Sequence, residues 1–555
     1  MPAIFRPWRR LWRLQAIARV LARNGFGYVL DVAMPGRWRF LHPRRADFAP
    51  LTRGERLLRV IEELGPSFIK MGQIISTRVD LLPPDIAASL AHLQDDVPPF
   101  PWPAAERTIA AALGKPTSDI FAWINEQPIA SASIGQVYRA ALRDGRQVVV
   151  KVRRPGVDQA MDVDLDIMAA AAREAQRRTR LGQVYDLAGM VAEVRHTAQE
   201  ELDYEQEARH AEHIAQFFRH DPTVRIPGVV WEYTRPRVLT MEYVESAKLT
   251  DLAAIDAMGG DRERIAKRLA SALLRQMLMD GVFHADPHPG NIGVLPGDVI
   301  VFMDFGMVGR LGPERQLQLM KLIGGMARRS TRAVTQAILE MGIVPPGTDT
   351  VALEEDVETL RQRYLDVPIR EISVADAIQH IMPVAFKHHI RFPPEFTLVA
   401  KALTTLDGVI RQLGADLSMV ELAEPIFLEV WRQRFRPAAV LQRAWESIAD
   451  HGDKLLTLPG KLQEFIDRAE QGNLVWRLDP AETQRVLGRL EAMANRLVAA
   501  IVLLALAILA GALLLAKPSL TLDLWGVRLV HLERWLLGLV GVLMLWLFVS
   551  MTRRR

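Results

Sequence analysis

The stretch that decides the fold is His284-Ala285-Asp286-Pro287-His288-Pro289-Gly290-Asn291, followed after a short apolar run by Asp304-Phe305-Gly306. Its prolines and glycine predict a loop, which holds Asp286 and Asn291 five residues apart. Asp304 follows a predicted strand at 299–303. Carboxylate and amide oxygens are the ligands that hard cations such as Mg²⁺ prefer. The stretch therefore predicts a metal-assisted site made of two aspartates and one asparagine.

Two earlier motifs complete an order that is typical of protein kinases. The segment 130–137, ASASIGQV, has the spacing of the glycine-rich loop G-x-G-x-x-G-x-V, with alanine at the first two glycine positions. Lys151 ends an apolar strand, where kinases have the lysine that contacts nucleotide phosphates. Asp286 and Asn291 match the catalytic loop, and Asp304 matches the D-F-G aspartate. Five parts in this order predict a nucleotide-binding, kinase-like fold.

The apolar pattern gives the fold class and the segments. Short apolar runs with turns begin near residue 121, and helical periodicity dominates after residue 249, which indicates an α+β, bilobal arrangement. The predicted segments are a basic arm at 1–50, a helical extension at 51–120, a strand-rich lobe at 121–245, a helical lobe at 246–440, a helical linker at 441–495 and a transmembrane helical hairpin at 496–551.

The C-terminal hairpin predicts the location of the protein. Residues 497–516 are an uncharged run of twenty residues, long enough to cross a bilayer, and 535–551 form a second, shorter span. Two buried core helices are the alternative interpretation. Arginines flank both outer ends, at Arg489, Arg496 and 553–555. By the positive-inside rule we expect a protein of the inner (cytoplasmic) membrane whose kinase-like body faces the cytoplasm.

The first fifty residues carry ten arginines against two aspartates, and Trp8, Trp12 and Trp38 lie among them. This mixture indicates contact with a membrane surface, because aromatic rings enter the bilayer interface while guanidinium groups meet lipid phosphates. A solvated, partly ordered arm and a mitochondrial transit peptide remain alternatives, and no nucleic-acid partner is expected.

The chain has no cysteine, which excludes disulfides, thiolate metal sites and cysteine nucleophiles. His284 and His288 are interpreted as scaffolding of the loop rather than zinc ligands.

Within the kinase-like proteins, the sequence resembles the UbiB family of atypical kinases, which includes mitochondrial coenzyme Q kinases and plastid forms. The resemblance rests on K-x-G-Q at 70–73, the alanine loop at 130–137, E-x-D at 201–203 with Glu207 after it, and the two motifs quoted first. It covers residues from about 50 to 440, and the C-terminal hairpin is similar to that of bacterial members. Ser131 departs from the alanine of many members.

The resemblance implies a role for each matching residue. Asp286 would be catalytic, and Asn291 and Asp304 would hold Mg²⁺. ATP would be bound by Ala130, Ser131, Ala132, Ser133, Ile134, Gly135, Gln136, Val137, Lys151, Glu207, Glu242 and Val244, with Glu207 pairing with Lys151 and the backbone of Glu242 and Val244 meeting adenine. Glu201 and Asp203 would face Lys70 and Gln73 of the extension. In the family this extension covers the cleft where a protein kinase receives its peptide, which implies a substrate other than protein.

Two functions are open at this stage. The first is an atypical kinase or ATPase that uses ATP and Mg²⁺ and supports ubiquinone or another prenyl-quinone pathway. Membrane lipids would be its partners, together with quinone precursors and other quinone-biosynthesis enzymes. The second is a pseudokinase scaffold that binds nucleotide without turnover. Asp286, Asn291 and Asp304 are all present, which favours the enzyme.

Overall fold

The computed structural model describes residues 6–26, 51–76, 97–179, 186–345, 347–363, 373–415 and 417–434, positions 86, 89, 90 and 93, and two strands at 522–524 and 527–529. The chain divides into two units, Met1–Val440 and Leu441–Arg555. In the second unit, Leu522–Leu524 pairs antiparallel with Val527–Leu529. None of the described helices is long and apolar enough to cross a membrane. The predicted spans at 497–516 and 535–551 lie outside the described residues.

The elements of the first unit follow in chain order. Its described helices are α1 Arg6–Arg23, α2 Arg53–Leu64, α3 Pro66–Ser76, α4 Trp102–Leu113, α5 Thr117–Ile120, α6 Val157–Arg178, α7 Leu187–Glu201, α8 Tyr204–Phe217, α9 Leu252–Ala257, α10 Arg262–Arg275, α11 Pro313–Ala327, α12 Thr331–Met341, α13 Thr350–Arg363, α14 Val374–Lys387, α15 Pro394–Gln412 and α16 Met419–Arg434. Its described strands are β1 Phe121–Ile124, β2 Ala130–Ser131, β3 Gly135–Leu142, β4 Gln147–Arg153, β5 Val224–Arg225, β6 Val238–Glu242, β7 Ala247–Lys248, β8 Val282–His284, β9 Ile292–Leu295, β10 Val299–Phe302 and β11 Val308–Arg310.

The strand-rich lobe is one antiparallel sheet in the order β1-β3-β4-β6, with β2 paired to β3. Successive side chains of a strand point to opposite faces. In β4, Val148, Val150 and Val152 are therefore buried together on one face, in a core shared with Ile109 of α4. Lys151 lies on the other face of β4. The alternation of the strand thus directs the lysine away from the apolar core.

Beyond the first sheet, the structure contains more β-structure than the sequence predicted. Strands β5, β10, β9 and β7 form a second sheet, in which β5 and β10 are parallel and the other pairs are antiparallel. Strands β8 and β11 form a separate antiparallel pair. Only the strand at 299–303 was expected here, because runs of two to four residues are too short to show a period. These short strands frame the loop 285–291 and the D-F-G segment.

The extension packs into the core of the helical lobe. Helix α2 begins with a capping box in which Thr52 and Glu55 bond reciprocally, and it ends at Gly65, whose φ of 91° favours glycine. Met71 and Ile74 of α3 are buried in the cluster that also contains residues of α6, α7 and α10. The extension is therefore continuous with the kinase-like body.

Candidate functional site

Lys151 lies at the centre of a charged cluster that three elements build. Its Nζ is 2.7 and 2.9 Å from the two carboxylate oxygens of Glu207 on α8, and 3.2 Å from Oδ2 of Asp304 after β10. The side chains of Lys151 and Glu207 are 15% and 5% exposed, whereas that of Asp304 is 40% exposed. The structure therefore brings three motifs together at one cation, with one carboxylate facing solvent.

The contacts in this cluster favour the charged states of Lys151 and Asp304. Desolvation alone would lower the pKa of Lys151, but the carboxylates of Asp304 and Glu207 raise it well above its usual value. Desolvation raises the pKa of Glu207, and Lys151 opposes that effect. Desolvation would also raise the pKa of Asp304, yet Lys151 and the N–H of Gly306 bring it well below its ordinary value. Lys151 and Asp304 are therefore ionised at neutral pH.

The D-F-G segment is fixed by backbone contacts. The N–H of Gly306 donates to Oδ1 of Asp304 at 2.8 Å, which orients the carboxylate. Phe305 is fully buried in the core of the helical lobe, and its carbonyl oxygen lies 3.3 Å from Nδ1 of His210 on α8. The helix that carries Glu207 thus also contacts the D-F-G backbone.

The catalytic-loop motif is organised around His284. Its buried ring packs against Phe302 and Phe305, with ring centroids 5.4 and 6.0 Å apart. Burial lowers the pKa of His284, so the ring is neutral, and its Nδ1 accepts the N–H of Asp286 at 3.1 Å. Asn291 Nδ2 lies 3.5 Å from the carbonyl oxygen of Asp286. These contacts agree with the scaffolding role expected of this histidine.

The donors near Asp304 suit a magnesium ion. Asn291 accepts the N–H of Met303 at 3.0 Å through its carbonyl, which places the asparagine beside Asp304 in the fold. Mg²⁺ in nucleotide sites takes one or two protein ligands and completes its shell with phosphates and water. An ionised, accessible carboxylate, with an asparagine on the neighbouring backbone segment, fits that donor set. Among the described residues, no group of three or more histidine, aspartate or glutamate side chains is arranged to hold a metal.

The alanine loop is a tight turn between β2 and β3. The N–H of Ala132 donates to the carbonyl oxygen of Gly135 at 2.8 Å, and Ser131 Oγ donates to the carbonyl oxygen of Val97 at 2.8 Å. A Cβ on Gly135 would lie 2.1 Å from Oη of Tyr204, so only glycine fits there. The hydrogen bond from Ser131 to Val97 joins the loop to the extension, and an alanine at 131 could not form it.

The predicted nucleotide contacts divide between the two faces of the sheet. Val137 pairs directly with Lys151, so both lie on the cleft face. Gln136 is buried on the opposite face, 2.5 Å from Oη of Tyr138. At the predicted hinge, the N–H of Glu242 donates to the carbonyl oxygen of Gly228 at 2.8 Å, and Val244 follows two residues after β6. The side chain of Gln136 therefore lies away from the cleft, which the motif alone does not reveal.

The K-x-G-Q helix contacts the E-x-D segment. Lys70 is buried and forms an ion pair with Glu201, as the resemblance implied. Asp203 accepts the N–H of Glu205 at 3.0 Å and caps α8. Gln73 Nε2 lies 3.5 Å from the carbonyl oxygen of Leu93. The lysine pair joins the extension to the helical pair α7–α8, and the aspartate fixes the start of the helix that carries Glu207.

One residue in contact with the site was not identified from the sequence. Lys401 of α15 lies with its Nζ 3.4 Å from Oδ2 of Asp286 and 3.4 Å from Sδ of Met307. It belongs to none of the kinase motifs. A usable signal was present, because this lysine interrupts an otherwise apolar run, 398–403, in a helix.

Part of the basic arm is docked onto the body. Helix α1 packs on α2 and α6, and Arg13 donates to both carboxylate oxygens of the fully buried Asp164 at 2.7 and 2.8 Å. Ser67 Oγ donates to the same carboxylate at 2.5 Å. Trp12 is exposed. Arg13 of the basic arm is therefore engaged in the protein interior.

Two protein-family models match the chain. The ABC1 atypical kinase-like domain matches residues 92–338, and the UbiB helical domain matches residues 357–418. Lys151, Glu207, Asp286 and Asp304 lie in the first match, whereas Lys401 lies in the second.

Similar proteins come from bacteria and plants. The "Probable protein kinase UbiB" of Cellvibrio japonicus is 35% identical over 517 residues, which are 92% of this chain and 93% of that protein. The "Uncharacterized protein sll1770" of Synechocystis is 34% identical over 78% of this chain and 74% of its own length. "Protein ACTIVITY OF BC1 COMPLEX KINASE 8, chloroplastic" of Arabidopsis thaliana is 34% identical over 79% and 62%. A solved structure, the Rv3197–erythromycin complex from Mycobacterium tuberculosis, overlaps with a TM-score of 0.47 at 26% identity, over 66% of this chain and 94% of that one.

Proposed function

The chain belongs to the UbiB family of atypical kinase-like proteins, and from this membership we propose that it binds ATP with Mg²⁺ and turns it over, as a kinase or ATPase, in support of ubiquinone or another prenyl-quinone biosynthesis. The observation that carries the proposal is the cluster in which Lys151 contacts Glu207 and Asp304. In a kinase active site, the lysine–glutamate ion pair and the D-F-G aspartate must both be in place.

Each side chain then has a defined task. Lys151, held by Glu207, meets the nucleotide phosphates, while the turn at 130–135 covers them with backbone. The backbone at Glu242 and Val244 meets adenine. Asn291 and Asp304 hold Mg²⁺, which neutralises charge on the phosphates when it is bound. Asp304 is suited to this task because its low pKa keeps it ionised.

Asp286 is the base of the proposed reaction. Its backbone is anchored on the neutral His284, so the carboxylate is presented from a fixed loop. An aspartate within hydrogen-bonding reach of a hydroxyl or a water orients that nucleophile and accepts its proton. The same geometry serves transfer to a lipid hydroxyl and hydrolysis, so the proposed activity is phosphoryl transfer in the broad sense.

The proposed substrate is small or lipidic rather than a protein. The buried pair between Lys70 and Glu201 fixes the extension to the kinase-like body, which supports restricted access to the cleft. The apolar runs at 497–516 and 535–551 support anchoring in the inner membrane, with the body in the cytoplasm. There the partners would be membrane lipids, quinone precursors and other enzymes of quinone biosynthesis.

The test uses the purified full chain in detergent, with thermal unfolding and phosphate release as separate measurements. We expect Mg-ATP to raise the melting temperature of the wild type, because a ligand that binds only the folded state stabilises it. Asp304→Asn should lose the Mg²⁺-dependent part of this shift. Asp286→Asn should keep the shift and lose phosphate release by orders of magnitude.

Three results would count against the proposal in different ways. An unchanged Mg-ATP shift in Asp304→Asn removes the metal assignment, and unchanged phosphate release in Asp286→Asn removes the base. Binding without any phosphate release by the wild type indicates the pseudokinase scaffold instead. Lipid extracts of a deletion strain provide the biological measurement, since an accumulated quinone precursor is the expected result.

A further inference from the structure

Lys401 is a cation that the helical domain places against the candidate base. It lies on α15 in a run whose neighbours are buried, namely Val399, Ala400, Ala402 and Leu403. The side chains of Lys401 and Asp286 are 25% and 33% exposed, so the pair sits at the edge of the cleft rather than in free solvent. Placing a lysine in an apolar stretch is costly unless it is paired, and the pairing here is with Asp286.

Lys401 lies beside the catalytic-loop motif and the D-F-G segment. Burial is the main cause of the lowered pKa of His284; the charges of Asp286 and Asp304 oppose this effect, and the charge of Lys401 adds to it. Lys401 also donates to Sδ of Met307, three residues after Asp304. Its ammonium is therefore held between the catalytic-loop motif and the segment that follows D-F-G.

We propose that Lys401 is a positioning residue, supplied by the helical domain, that holds the Asp286 carboxylate in the orientation needed to receive the nucleophile's proton. The inference rests on the proposed function. In the transfer, the acceptor oxygen bonds to the terminal phosphorus of ATP. The bond from that phosphorus to the bridging oxygen breaks with its electron pair leaving on ADP, and Asp286 takes the acceptor's proton.

The physical reason is the freedom of an accessible aspartate. The backbone of Asp286 is fixed by His284, but its carboxylate can rotate in a partly open cleft. Contact of Oδ2 with Lys401 selects one orientation and directs Oδ1 to the nucleophile. Misplacing a catalytic group by about 1 Å can cost about 100-fold in rate, so a tether of this kind acts on turnover rather than on nucleotide affinity.

The experiment measures kcat and KM for ATP, from phosphate release, together with melting temperature, on the full chain in detergent. Lys401→Met should lower kcat by about 10- to 100-fold with KM for ATP unchanged. Lys401→Arg, which keeps the charge, should recover most of the loss. Arg411→Met is the matched control, because Arg411 lies on the same helix and pairs with Asp407, away from the catalytic loop. It should leave kcat unchanged.

A double variant separates positioning from a structural role. If Lys401 acts through Asp286, Lys401→Met should have no further effect on kcat in the Asp286→Asn background. If Lys401→Met does not fold, Lys401→Gln, which keeps a polar chain, takes its place in both comparisons.

Several results would overturn the inference. These are an unchanged or increased kcat in Lys401→Met, a loss matched by Arg411→Met, and a further loss in the Asp286→Asn background. When the wild type turns over, these results leave the proposed function intact. A wild type that releases no phosphate overturns the proposed function as well as the inference.

Discussion

Replacing Lys151 by methionine should destabilise the protein far more than the loss of an ordinary surface ion pair, because two carboxylates then face each other without a cation. The Lys151 ammonium lies 2.7 Å from Glu207 and 3.2 Å from Asp304. Removing one partner of a buried pair costs about 3–5 kcal/mol. Since Asp304 is partly accessible and can be hydrated, we expect about 3 kcal/mol for Lys151→Met.

A second substitution tests the cause. Glu207 is almost fully buried and already has a raised pKa because of its burial. Lys151→Met combined with Glu207→Gln removes one of the two uncompensated charges, so the double variant should regain about 1–2 kcal/mol relative to Lys151→Met. Both variants should lose the stabilisation by Mg-ATP.

The assay is thermal unfolding of the full chain in one detergent, followed by tryptophan fluorescence, and the control is Lys321→Met. Lys321 Nζ lies 2.5 Å from Oε2 of Glu340 in an exposed pair, which should contribute less than about 1 kcal/mol. Equal melting temperatures for Lys151→Met and Lys321→Met would refute the reasoning. So would a double variant less stable than Lys151→Met.

Three further predictions concern the extension and the metal site. Lys70→Ala should lower the melting temperature, because Glu201 stays buried without its cation. If the extension acts as a lid, this variant should also change the ATP-to-ADP affinity ratio or permit autophosphorylation, and destabilisation alone would rule out that role. Gly72→Ala should destabilise by about 1–3 kcal/mol, because the new Cβ would lie 2.6 Å from Cδ1 of Leu93, and an unchanged melting temperature would contradict that packing. The pKa of Asp304 lies below its ordinary value of 3.8 in the folded protein, so its stabilisation is present above about pH 4 and is lost as the pH falls from there toward the folded value. Below about pH 4, the melting temperature should therefore fall more steeply with falling pH for the wild type than for Asp304→Asn.

The sequence predicted the site best for the residues that belong to kinase motifs, because nucleotide binding requires these motifs in a fixed order. Lys151, Glu207 and Asp304 are far apart in the chain, yet their motifs predicted that the lysine and the glutamate meet, and the structure places them in contact. The strand carrying the lysine was also visible, because Lys151 directly follows the apolar run 148–150, but only the structure shows which of its valines are buried. The roles of these residues in ATP and Mg²⁺ binding stay predictions.

Contacts between helices could not be predicted in the same way. Helical periodicity identifies which face of α15 is apolar but not which loop that helix reaches. The contact between Lys401 and Asp286 could therefore not be predicted from the sequence. The sequence also could not single out Arg13 as the arginine that docks α1, because the neighbouring arginines carry the same charge and only the structure shows their different surroundings. The parallel pairing of β5 with β10 is equally non-local.

The buried Asp164 has a practical consequence for anyone who shortens this protein. A chain that starts at the first residue of the kinase-like match, 92, would lack Arg13 and Ser67, which both bond to this carboxylate. It would also lack α1 and α3, which pack on α6, so the aspartate and the buried apolar residues beside it, Met161 and Leu165, would be uncovered. Such a fragment should be recovered poorly, because the apolar face of α6 that the extension covers would be exposed to water.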